Sequence, residues 1–249
     1  DLGNWRLIFW ANVVFGVVMF LGTLFLLPET LPMERRFALP VSGMAARYRD
    51  LLREPLFCSA VMVVSFGTFT MFAYLSNAPA LFENILHFSP HLFAIFFGLN
   101  GVGLILGSQV NARLATRFLF TRVMEIGMLA VLMFCVLAVA VCLSGFAGPQ
   151  DPWILCALIW CTTFSLGFIG PNAGILALTH HGHQAGAASA LMGTMNWTIA
   201  GLAGVMMSFL PTHWVGSTSI GMLVGISCCW LCDLWRRRLD PDSYLSVRH

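Results

Sequence analysis

Asn100, Gln109, Asn111, Asn172 and Asn196 carry uncharged amides into long apolar runs, or to the ends of them. An amide turned towards lipid is costly, so each must face protein or a water-filled cavity. Asn100, Asn172 and Asn196 lie deepest. With Trp160 and Trp197 they offer the chemistry of a cavity for an amphipathic organic molecule, in which a few amides sit among aromatic faces. The same amides serve equally as hydrogen-bonding glue between helices, and the sequence leaves both readings open.

The ionisable side chains offer less. Glu83, Glu125 and Asp233 are the acids near apolar runs, and all three sit towards run ends, not at the depth of a membrane proton carrier. His180, His181 and His183 cluster between two runs. No Cys, Asp or Glu lies near them in sequence, so a solvated loop is expected there and no metal site. Eight cysteines fall inside apolar runs and read as small buried hydrophobes. Cys229 and Cys232 have redox-type spacing, but no second pair or His stands nearby to complete a metal site. The chain carries no His-Glu-x-x-His, no Gly-x-Ser-x-Gly and no buried Asp pair, which argues against an enzyme. All 13 basic residues are Arg, so Schiff-base chemistry is excluded.

What positions these residues must be membrane helix. Hydrophobic residues make up 58% and charged residues 10% of the 249, where a soluble domain carries about 25% charged. A spanning helix needs about 20 mainly apolar residues. Seven segments qualify, at 7–27, 56–79, 92–110, 123–145, 153–178, 186–210 and 214–235. The expected fold is therefore an all-α polytopic membrane protein. A net charge of +2 gives no reason to expect a nucleic-acid partner; the partners expected are the lipid bilayer and a small molecule.

Arginine placement orients the helices. The 28–55 connection carries Arg35, Arg36, Arg47, Arg49 and Arg53, the next basic loop Arg113, Arg117 and Arg122, and the tail Arg236, Arg237, Arg238 and Arg248. All fall on one face of a seven-span arrangement and only Arg6 falls on the other, which predicts a cytoplasmic C-terminus. Within 28–55, Val41, Met44, Ala45, Tyr48, Leu51 and Leu52 recur at helical spacing, as in a short helix lying on the membrane surface or in a solvated connector.

Small residues mark where helices approach closely. Gly103 and Gly107 are four apart, as are Gly170 and Gly174, and Gly193 and Gly201 are eight apart. Pro171 stands mid-span and must kink or break its helix, as a hinge or as static shape.

The strings WRLIFW (5–10), LPETLP (27–32), YLSNAPALF (74–82), FGLN (97–100), GSQVNARL (107–114), GFIGPNAG (167–174) and AGAASALMGTMN (185–196) occur in one order along the chain. Together they resemble the Bcr/CflA family of drug:proton antiporters in the major facilitator superfamily. Departures include Asn77 and Ala78 before Pro79, Leu119 and Phe120 in the basic loop, Gln184, and Asn196 in place of Gln. The resemblance implies a partial major-facilitator fold. Residues 1–27 become the sixth helix of an N-terminal half, 28–55 the central cytoplasmic loop, 56–235 a six-helix C-terminal half and 236–249 a cytoplasmic tail. Five further N-terminal helices are expected as partners, and the proton-coupling acid with them. The implied function is export of drugs or amphipathic molecules across the inner membrane. A proton gradient drives it, no other cofactor is needed, and Arg113 and Arg117 lie in a gating loop. A facilitator for a metabolite, sugar or nucleoside is the main alternative, because one scaffold carries many cargoes. A heptahelical receptor shares the topology but lacks an Asp-Arg-Tyr string after the third span and Asn-Pro-x-x-Tyr in the seventh.

Overall fold

The structure, a computed structural model, describes residues 6–28, 41–146, 151–179, 181–211 and 213–240. Arg35, Arg36, His180 and Arg248 lie outside the described residues, as do the side chains of Val41 and His183. Two compact units divide the chain at Gly43.

The first unit contributes one helix, α1 (Arg6–Leu26), long and apolar enough to cross a membrane. Two of its polar side chains bond back to the helix, Asn12 Nδ2 to Ile8 O at 3.0 Å and Thr23 Oγ1 to Met19 O at 2.8 Å, which lowers the cost of carrying them on an apolar helix.

In the second unit α2 (Val41–Arg53) leads into α3 (Pro55–Pro79), α4 (Pro90–Ala115), α5 (Phe120–Leu143), α6 (Trp153–Leu166), α7 (Gly170–Leu178), α8 (Ala185–Ser208) and α9 (Ser217–Leu239). With α6 and α7 taken as one broken span, the described residues hold seven helices of membrane-crossing length and composition. The all-α multi-pass fold expected from the sequence is thus the fold observed.

α3 is the hub. It packs against α7, α8 and α9, and 14 of its 25 residues are buried. α6 lies between α4 and α5, and α5 also packs on α9. The main core joins Phe82 of the α3 extension, Met124 and Met128 of α5, Ile159 of α6 and Ile226 of α9. A second cluster fastens Leu51 of α2 to Phe57, Ala60 and Val61 of α3, Ala177 of α7 and Ala188 of α8. Leu51 anchors the predicted surface helix, while Met44, Ala45 and Leu52 remain exposed.

Several span boundaries differ from the sequence expectation, most of all in the second and last spans. The second span does not stop at Pro79 but continues as a π-helical turn, Ala80–Ile85. Leu86 N donates to Leu81 O at 2.9 Å and Phe88 N to Phe82 O at 2.8 Å, which buries Leu81 and Phe82. His87, at φ 55°, then turns the chain, and Ser89 caps α4 by accepting from Leu92 N at 3.3 Å, with Pro90 in the first turn. The last span begins three residues later than expected and runs to Leu239, so Arg236, Arg237 and Arg238 are helical and not part of a tail.

Candidate functional site

The buried residues of α4 are Asn100, Gly103, Gly107 and Asn111, two amides bracketing two glycines. Their spacing of three, four and four keeps them on one helical face. That face meets α6 and α7 in four successive layers.

At the first layer Thr163 Oγ1 donates to Asn100 Oδ1 at 3.0 Å, while Asn100 Nδ2 donates to Phe96 O at 2.8 Å. At the second, the Trp160 ring lies over Gly103, and its Nε1 donates to Leu99 O at 3.1 Å. At the third, the Gly107 backbone meets the Phe164 carbonyl directly. The same approach is seen from Gly167, where a Cβ would lie 2.6 Å from Ser108 N and 2.7 Å from Leu104 O. At the fourth, Asn172 Nδ2 donates to Asn111 Oδ1 at 2.6 Å and to Phe168 O at 2.8 Å.

The broken span makes this seam. Pro171 has no N–H to offer Gly167 O, and its ring crowds that carbonyl. Residues 167–169 tighten accordingly, with Gly167 N to Phe164 O at 3.2 Å, Phe168 N to Ser165 O at 3.1 Å and Ile169 N to Leu166 O at 3.0 Å. The break expected from Pro171 is therefore present, and it falls where α4 presses closest. Restarting the helix at Gly170 carries Asn172 round to Asn111.

In this structure Asn100 and Asn172 are buried and hydrogen-bond between and within helices. Trp160 likewise belongs to the α4–α6 seam. The prediction is direct: Asn172→Ala strands the Asn111 carbonyl and lowers stability in mixed micelles by about 1–3 kcal/mol. Adding Asn111→Ala restores part of that loss, whereas fully additive losses would show that the two amides do not act as a pair.

Asn196 and Trp197 stand apart from the seam, on α8 against α3. Trp197 is 63% exposed and meets the Phe72 ring edge-on at 5.7 Å. Asn196 Oδ1 is buried and has no hydrogen-bond partner among the described residues. Among the described residues nothing lies within 4 Å of where the Cβ atoms of Gly170, Gly174 and Gly193 would be, whereas Gly103, Gly107 and Gly167 pack closely against a neighbouring helix. Arg113 and Arg117 are exposed at the end of α4 and in the turn after it.

Two polar clusters depart from the sequence expectation. Asp233 and Arg236, read as a span-end acid and a solvated basic tail, are both 0% exposed. Arg236 Nε and Nη2 donate to Asp233 Oδ1 at 3.0 and 2.9 Å. Arg237 links Asp233 Oδ2 at 2.7 Å to Glu125 Oε1 of α5 at 3.2 Å and lies 5.4 Å from the Trp230 ring centre. His181, expected in a solvated loop, is buried. Its Nε2 is 2.8 Å from Glu54 Oε2, and Phe57 packs against its ring at 5.0 Å. The available signals were the Asp-x-x-Arg spacing at the end of α9 and a carboxylate at Glu54 just before a span. Cys229, fully buried, sets its thiol 3.4 Å from Val63 O and 3.6 Å from Met128 Sδ, as a packed side chain.

Comparison with known proteins supplies the family. Over 77% of its length the chain is 28% identical to the uncharacterized MFS-type transporter YdgK of Bacillus subtilis, covering 47% of that protein. Over 91% of its length it is 23% identical to a bicyclomycin resistance protein homolog of Haemophilus influenzae, covering 55% of that protein. The chain spans about half the length of the curated relatives it matches. Residues 1–205 match the family described as the Major Facilitator Superfamily. With seven helices of membrane-crossing length among the described residues and a proline-broken span locked by buried amides, this multi-pass membrane chain belongs to the Major Facilitator Superfamily.

Proposed function

We propose that the chain is the C-terminal portion of a Bcr/CflA-type secondary exporter. In this reading it moves amphipathic small molecules outward by alternating access, driven by inward proton flow. Residues 1–27 close an N-terminal half, 28–55 form the central cytoplasmic loop and the helices from 56 onward form the second half. The arginine-rich ends, including the C-terminus, face the cytoplasm of an inner membrane, and Arg113 and Arg117 lie in a cytoplasmic gating loop. No cofactor besides the proton gradient is called for.

The observation that carries this reading is the open face of α8, where Trp197 is exposed and backed edge-on by Phe72. An uncharged aromatic surface suits a mainly apolar organic cargo. Open Gly193 one turn away leaves room for such a cargo to approach the backbone. The resistance-protein relative supports the same cargo class.

Ethidium accumulation in pump-deficient cells tests the proposal, using this chain and the same chain extended upstream into a full-length transporter. The extended form is expected to lower accumulation, a protonophore to abolish the effect, and Trp197→Ala to weaken it about tenfold, the loss of roughly 1.4 kcal/mol of cargo contact. If the extended form inserts in the membrane yet leaves accumulation unchanged, drug export is overturned in favour of a narrow metabolite cargo.

A further inference from the structure

We propose that the groove between α5 and α6 is a binding site for an anionic phospholipid, its phosphate held by Arg122 and one acyl chain laid along the aromatic edge of α6. The site is independent of the exported cargo and asks only that the chain lie in a membrane.

The groove has two continuous parts. Its outer part, of about 140 Å³, is lined by Leu114, Phe118, Arg122 and Val123 and opens at the basic end of α5. Its inner part, of about 390 Å³, runs between Ala130 and Phe134 of α5 and the α6 edge. Ile126 and Phe168 line both parts and join them. The floor is a ladder of rings in which Trp160 and Phe164 stack at 5.7 Å and Phe164 meets Phe168 at 5.6 Å. From Arg122 to Phe134 is three turns of helix and a little more, about 18 Å along the axis. That length covers one leaflet of hydrocarbon, about 15 Å deep.

Charge at the mouth selects the occupant. Arg113, Arg117 and Arg122 are exposed within ten residues of one another and make no ion pair among the described residues. The nearest acid in sequence, Glu125, is already bonded to Arg237 on the α9 side. Arg122 stands on the third residue of its span, at headgroup depth, with an almost wholly apolar slot directly inward of it. A guanidinium over a hydrocarbon slot matches a phosphate joined to an acyl chain and leaves a zwitterionic headgroup with an ammonium beside the arginines. A soluble anion fills only the mouth, and a neutral hydrocarbon only the slot.

The test is quenching of tryptophan emission in detergent micelles by phosphatidylglycerol or phosphatidylcholine brominated on the acyl chain. The chain is expected to prefer phosphatidylglycerol about fivefold, the factor supplied by one guanidinium near an anionic headgroup. The preferential quenching disappears in Trp160→Phe, which places the acyl chain against that ring. Arg122→Gln brings the two lipids level, Arg122→Lys keeps most of the preference, and Arg238→Gln, an equal loss of charge elsewhere, leaves it intact. Ala130→Phe, which fills the slot without touching the mouth, lowers quenching by both lipids. Equal quenching by both lipids in the parent chain overturns the proposal. So does an Arg238→Gln effect as large as that of Arg122→Gln, or an Ala130→Phe variant that binds as before. Gel-filtration profiles of each variant separate loss of binding from loss of fold, and the Ala130→Phe arm decides the matter even if Arg122→Gln does not fold.

Discussion

Asp233→Asn is expected to destabilise the folded chain by about 3–5 kcal/mol, among the largest effects a single polar substitution can have. The substitution keeps the shape of the side chain and removes its charge. Arg236, itself 0% exposed, then loses the carboxylate that accepts from both its Nε and its Nη2, and Arg237 loses its bond to Asp233 Oδ2. An arginine does not deprotonate to escape burial, so its charge stays while this carboxylate no longer offsets it. The measurement is the midpoint of unfolding in mixed micelles with increasing sodium dodecyl sulfate. Replacing both partners, as in Asp233→Leu with Arg236→Met, should recover much of the loss, because an apolar pair of similar volume removes the stranded charge. A single mutant that unfolds at the parent midpoint would falsify the claim that this pair is buried and coupled. The consequence is structural: Arg237 ties the end of α9 to α5 through Glu125, so the loss of Asp233 should loosen that helix end first.

The sequence showed the spans because lipid leaves few alternatives. About 20 apolar residues without a charge have little else to be. It was weaker on where helices end. Pro79 and Asn111 both look like stops, yet α3 passes Pro79 by widening into a π-turn, and α4 runs beyond the apolar stretch to Ala115. A proline forbids one hydrogen bond and one close contact, and a change of helical register absorbs both. Side-chain placement was legible only where it depends on a single helix. Asn100, Gly103, Gly107 and Asn111 share a face by spacing alone. Which of Arg236, Arg237 and Arg238 is buried depends on how α9 is rotated against α5, and that is fixed by packing between distant segments, as at Arg237 and Glu125, 112 residues apart. His181 was hidden in the same way, since its partner Glu54 is 127 residues distant. The proposed lipid groove has no sequence signature at all, because its walls come from two helices and its charge from a loop that reads only as a topological signal.

The two Gly-x-x-x-Gly pairs have the same spacing but are expected to respond in opposite ways to the addition of one methyl group. Gly107→Ala drives a Cβ into the carbonyl of Phe164, and Gly167→Ala places one 2.6 Å from Ser108 N and 2.7 Å from Leu104 O. Each obstruction is backbone, which has no rotamer to move into, so relief requires α4 and α6 to separate. Such separation pulls Asn100 from Thr163 and Asn111 from Asn172, the bonds at either end of the seam. The cost belongs at or above the upper end of ordinary overpacking, about 3 kcal/mol. Gly103→Ala meets a side chain instead, with Trp160 Nε1 at 2.9 Å. The ring can shift if it gives up its bond to Leu99 O, so a smaller loss is expected. Gly174→Ala meets nothing within 4 Å and sits within α7. There the added methyl removes glycine's helical penalty and should stabilise by about 0.5–1 kcal/mol. Unfolding midpoints for the four variants should therefore rank Gly174→Ala above the parent, Gly103→Ala below it, and Gly107→Ala with Gly167→Ala lowest. Equal losses across the set would mean that α4 and α6 do not approach through their backbones, and the four-layer seam would have to be abandoned. The expected ranking instead makes α4 and α6 one rigid piece. Among the described residues, open glycine faces lie elsewhere, at Gly170, Gly174 and Gly193.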